Sequence, residues 1–108
     1  MSRFIVPQPQ LSALCRNFRV QQLHLFGSAA TGEFNPETSD VDVLVSLLPA
    51  PPVEQGEALL GLWDELENLF GRKVDLLTSH SVRNPYLLAE INRTKKLLYD
   101  AAGPQVSV

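Results

Sequence analysis

Two hydrophobic periods alternate along the chain. From Val53 to Phe70, Leu59, Leu62, Trp63, Leu66, Leu69 and Phe70 follow the 3.6-residue repeat of an amphipathic helix, and Gly71 stands where a left-handed helix-ending residue belongs. Residues 10–19 place Leu11, Leu14, Cys15 and Phe18 at helical spacing, behind a leader whose end is marked by Pro7 and Pro9. Residues 21–26 alternate instead, with Leu23 and Leu25 on one face, which predicts a strand stopped by Gly27. The segment to Ser39 is rich in Gly, Asn, Pro, Ser and Thr and predicts a loop with room for one helical turn. Residues 40–48 read as a second strand, closed by the Pro-Ala-Pro-Pro break at 49–52. A third short strand is expected over 72–78, a connection over 79–84, a helix from Pro85 to about Arg93, and over 95–100 a last short strand in preference to a continuation of that helix. Strands alternating with helices indicate an α/β (α+β) layer structure, a small mixed sheet flanked by helices.

The length of 108 residues suits one domain, expected over 1–100, with a frayed tail over 101–108. Apolar residues at 44% and charged residues at 19% are those of a folded chain rather than a disordered one. The formal charge of −3 and the lack of a basic run speak against direct nucleic-acid binding. Cys15 is the only cysteine, which excludes an internal disulfide and a cysteine metal cage and leaves buried packing as its simplest role. No apolar run approaches the roughly 20 residues of a membrane span, and MSRFIVPQPQ lacks the apolar core of a signal peptide. A cytoplasmic protein without membrane attachment is the expectation.

Two acidic residues interrupt the most hydrophobic stretch, SDVDVLV. On a strand, Asp40, Asp42 and Leu44 share one face while Val41, Val43 and Val45 share the other, so the valines face a core and the carboxylates point together, about 7 Å apart. Such like charges repel, and a divalent cation such as Mg²⁺ turns the repulsion into attraction. KVDLL repeats the pattern: Asp75 shares a face with Lys73 and Leu77. If the two strands pair in register, three carboxylates meet, a set suited to metal-assisted displacement at phosphorus. Gly27-Ser28 supplies a complementary feature, a strand end where backbone can approach a phosphate and a hydroxyl can donate to it. It is neither a P-loop nor a dinucleotide fingerprint. Competing local readings are an ion pair of Asp75 with Lys73 or Arg72, solvated loop charge for Glu33 and Glu37, and surface or locally bonded roles for His24 and His80.

The combination LFGSAATGEFNPETSDVDVLV, with KVDLL downstream and LLYDA near the end, resembles the nucleotidyltransferase superfamily of DNA polymerase β. It is most similar to the superfamily's minimal nucleotidyltransferases, the MNT proteins often encoded beside a HEPN-type partner. The resemblance spans about residues 20–100. It implies that Gly27 and Ser28 hold a nucleoside triphosphate, that Asp40 and Asp42 bind Mg²⁺, and that Asp75 completes a catalytic and metal-binding trio. It further implies transfer of a nucleoside monophosphate, AMP from ATP, to a HEPN-type toxin encoded nearby, with this chain as antitoxin. Where members of the family commonly carry Gly-Ser-x-Ala-Arg-Gly, this chain has Gly-Ser-Ala-Ala-Thr-Gly, with Thr31 at the Arg position. That departure supports an alternative: an antitoxin with a weak or inactive site that neutralises its partner by binding.

Overall fold

A computed structural model describes residues 5–32, 35 and 40–103. The elements run α1 (Gln8–Asn17), β1 (Val20–Phe26), α2 (Ser28–Thr31), β2 (Val41–Leu47), α3 (Pro52–Phe70), β3 (Val74–Thr78), α4 (Pro85–Thr94) and β4 (Lys96–Asp100), with a 3₁₀ turn at Ser79–Ser81. Four strands form one mixed sheet in the order β3-β2-β1-β4. β1 is antiparallel to both β2 and β4. β2 and β3 are parallel, which requires the crossover that α3 provides.

The main core lies on one face of this sheet. Leu23 and Leu25 of β1, Val41, Val43 and Val45 of β2 and Val74 of β3 form one buried cluster with Leu11 and Cys15 of α1 and Leu62 and Leu66 of α3. Burial pushes the Cys15 thiol up to about 12, a packing residue rather than a reactive one. α4 packs against β1, and its Ile91 is buried, as is Phe26 at the end of that strand.

The element ends differ from the sequence expectation for local reasons. α1 begins at Gln8, ahead of Pro9, because the first turn of a helix uses no amide of its own and accepts proline there. Asn84 caps α4, its Oδ1 accepting from the amides of Tyr86 and Leu87 at 2.8 and 3.3 Å. Strand β3 starts at Val74 rather than at 72, since Gly71 ends α3 in the left-handed conformation and two α3 side chains then take up the backbone of Val74. Trp63 Nε1 donates to the Val74 carbonyl at 2.8 Å, and the Val74 amide donates to Glu67 Oε2 at 3.0 Å. The edge strand that carries Asp75 is thereby tied to the helix behind it. Trp63→Phe keeps an aromatic ring but deletes the donor, and is expected to cost about 1 kcal/mol or more of stability in urea unfolding. At the other edge, pairing runs one residue past β4, the Ala101 amide donating to the Gln21 carbonyl at 2.8 Å. Of the tail expected over 101–108, residues 104–108 lie outside the described residues.

Candidate active site

The register of the parallel pair decides where the carboxylates fall. Asp42 stands opposite Asp75 across the β2–β3 pair and opposite Phe26 across the β1–β2 pair. The neighbouring Val41, Val43 and Val74 are wholly buried in the core, so the two aspartates project from the other face of the sheet. Asp40 sits just ahead of β2, where the following amide, that of Val41, donates to the Lys73 carbonyl at 3.1 Å. The predicted strand start at Asp40 therefore moves by one residue, and Asp40 is held at the mouth of the β2–β3 pair.

Electrostatically Asp42 feels both of its acidic neighbours. Burial, then Asp75, then Asp40 push the Asp42 carboxyl from its ordinary 3.8 up to about 6. Each cause disfavours the negative charge on Asp42, and a nearby cation would offset all of them. The carboxylates are nonetheless not drawn into a closed cage: among the described residues no group of three His, Cys, Asp or Glu side chains is gathered tightly enough to hold a metal ion by itself. An oxygen-only donor set left open fits Mg²⁺, which keeps waters and takes substrate phosphates alongside one or two carboxylates. It does not fit a closed structural metal site.

The Gly27 turn is built against Asp42. Gly27 has φ +71° and ψ −150°, a conformation essentially restricted to glycine. A Cβ at this position would lie 2.5 Å from Asp42 Oδ2. The absent side chain is thus what allows the turn and the carboxylate to be neighbours. The single helical turn of α2 follows, with the amides of Ala30 and Thr31 donating to the Gly27 carbonyl at 3.0 and 3.2 Å. Ala29 and Ala30 anchor it in the core, and Gly32 ends it at φ +84°. Thr31 closes the turn, its hydroxyl donating to the Ser28 carbonyl at 3.4 Å. Glu33 and Glu37 lie outside the described residues.

One site neighbour escapes the sequence reading. The Gly27 amide donates to Thr94 Oγ1 at 3.0 Å, and the Thr94 hydroxyl donates to the Glu90 carbonyl at 2.8 Å. Thr94 is 6% exposed, the only polar residue among the described residues that is buried. A signal was present: Leu87, Ile91 and Thr94 fall on one stripe of α4, so a polar residue occupies an apolar position. His24 pairs with Leu44 along the sheet, its pKa lowered by burial and by Lys95 against the opposing pull of Asp100, and His80 lies exposed in the 3₁₀ turn.

Comparison with known proteins bears on the family and the fold. The family model of the nucleotidyltransferase domain matches residues 10–98. Two proteins of Methanocaldococcus jannaschii, both provisionally named protein adenylyltransferases, are 39% identical over 69 and 74 residues. The matches cover 64% and 68% of this chain and 76% and 72% of those proteins. Among solved structures, a chain of a toxin–antitoxin crystal structure with AMP-PNP superposes with a TM-score of 0.67 at 22% identity, covering 89% of this chain and 75% of that one. A chain of a complex between a tri-AMPylated Shewanella oneidensis HEPN toxin and MNT antitoxin gives 0.53 at 21% identity, over 88% and 71% of the two chains. These two structural likenesses are at the level of the fold. Among the described residues no helix is long and apolar enough to cross a membrane.

Proposed function

The chain belongs to the nucleotidyltransferase domain family, and we propose that it transfers AMP from ATP to a partner protein, a HEPN-type toxin encoded nearby, and so acts as an antitoxin. The observation that carries this reading is the alignment of Asp42 with Asp75 directly beside the glycine turn, with Asp40 at the strand mouth. In this reading Gly27 and Ser28 receive the triphosphate, and Asp40 and Asp42 hold Mg²⁺ with Asp75 completing the trio. A bound Mg²⁺ supplies neutralisation of phosphate charge. The chain's own contribution is positional: the sheet fixes the carboxylates and the turn fixes the phosphates, which suits a reaction governed by alignment and electrostatics. A hydroxyl oxygen of the acceptor bonds to the α-phosphorus, the bond to the β-phosphate oxygen breaks, and pyrophosphate leaves. The hydroxyl proton passes to a carboxylate of the trio.

A binding-only antitoxin is the second reading, favoured by Thr31 in place of a cation. One experiment separates the two. The purified chain is incubated with its genomic neighbour's product, Mg²⁺ and α-labelled ATP, with Asp42→Ala as control. Transfer predicts label on the partner that disappears in the control. A tight complex without label, with full protection from toxicity by Asp42→Ala, selects the binding-only reading.

A further inference from the structure

We propose that Thr94 is a positioning residue of the nucleotide site, its hydroxyl setting the orientation of the Gly27 turn on which the triphosphate rests. The inference depends on the nucleotide-binding reading above and extends it to a residue on a different element.

Gly27 follows the last residue of β1, so its amide stands at the end of the strand and needs another partner. Thr94 Oγ1 is the acceptor it meets, 3.0 Å away and 67 residues along the chain. The direction of that bond is fixed by chemistry. The hydroxyl proton is committed to the Glu90 carbonyl, the usual back-bond of a helical threonine to the residue four before it. Oγ1 is left to accept, and donation to Glu90 makes it a better acceptor. Thr94 is itself 6% exposed, so the hydroxyl that accepts from Gly27 is shielded from water.

Holding this amide matters because the turn has little room. The Gly27 Cα already faces the Asp42 carboxylate so closely that a Cβ would collide with it. Rotation of the 26–27 peptide unit would shift the Gly27 turn and the single helical turn of α2 that follows it relative to Asp42. The hydroxyl of Thr94 acts through Gly27, not on substrate. Its loss should therefore weaken nucleotide binding more than it slows the chemical step.

The test measures Mg²⁺-ATP affinity by calorimetry, together with KM and kcat for labelled transfer and thermal melting, in the wild type and in Thr94→Val, Thr94→Ala and Thr94→Ser. Thr94→Val is expected to raise Kd and KM about tenfold with kcat changed less than about threefold, while Thr94→Ser stays within about twofold of wild type on both. Thr94→Ala removes the hydroxyl without setting a methyl against the Gly27 amide and must weaken binding similarly. Wild-type affinity in Thr94→Val or Thr94→Ala overturns the role of Thr94 and leaves the nucleotidyl-transfer reading intact. Equal loss in Thr94→Ser also overturns it, because packing rather than the hydroxyl would then be responsible. A wild type that binds no Mg²⁺-ATP removes the functional reading itself, and this inference with it.

Discussion

Replacing Asp42 with Asn is expected to abolish nucleotidyl transfer, by about a thousandfold or more, and at the same time to raise the melting temperature of the metal-free protein. The two effects have one origin. The charge on Asp42 is opposed by burial first and then by Asp75 and Asp40. Raising its carboxyl from the ordinary 3.8 to about 6 corresponds to about 3 kcal/mol when undiluted by solvent. Asp42 is only half-buried, so screening reduces this to roughly 1–1.5 kcal/mol. Asn keeps the shape and drops the charge, which should raise the melting point by about 5 °C in a domain of this size.

The pH dependence follows with a definite sign. The folded state holds the Asp42 proton more tightly than the unfolded chain does, so this group's stabilising contribution is complete below about pH 3.8 and disappears as pH rises through about 6. Metal-free wild type should lose stability across that window, and Asp42→Asn should flatten this part of the profile. Because a metal competes with the same proton, Mg²⁺ affinity should increase over the same range. Thermal melts from pH 4 to pH 7, with and without Mg²⁺, measure both. Equal pH profiles for wild type and variant would contradict the assignment.

Gly27→Ala is expected to be nearly as damaging, and through geometry rather than charge. The new methyl would have to occupy space 2.5 Å from Asp42 Oδ2, on a backbone with φ +71° and ψ −150°. Both penalties fall together, and a loss of about 2–4 kcal/mol is expected. Whichever side yields, the carboxylate or the turn, the spacing between the proposed phosphate and metal ligands changes, and transfer should fall by about a hundredfold or more. Gly71→Ala is the matched control. That residue is also left-handed, at φ +68°, but a Cβ there meets nothing within 4 Å. It should cost about 1–2 kcal/mol and leave activity per folded molecule unchanged. Melting curves paired with labelled transfer distinguish the two substitutions.

Much of this site is written locally in the chain. The alternation Asp40-Val41-Asp42-Val43 is enough to predict a strand with a buried back and an acidic front, and the helix over 53–70 with Gly71 behind it was legible from periodicity and one capping residue. The single helical turn allowed for in the loop after Gly27 is α2. What local sequence could not carry was register. The spacing of KVDLL says which face Asp75 takes, but not that it lies opposite Asp42 rather than two residues away; α3 settles that by holding Val74 at both its amide and its carbonyl. Nor could the chain order reveal that Gly27 is glycine because of Asp42, fifteen positions later. Thr94 was hidden for the same reason, since its partner is distant in sequence and only the burial of a hydroxyl on an apolar stripe hinted at it.

The central claim, a metal-and-triphosphate site assembled from Asp40, Asp42, Asp75 and the Gly27-Ser28 turn, is tested most directly by a crystal structure of the protein with a non-hydrolysable ATP analogue and Mn²⁺ as an anomalously scattering substitute for Mg²⁺. The expected result is an anomalous peak between Asp40 and Asp42, with Asp75 beside it and the triphosphate against Gly27 and Ser28. A peak away from Asp40 and Asp42, or a triphosphate bound elsewhere on the molecule, would contradict the site.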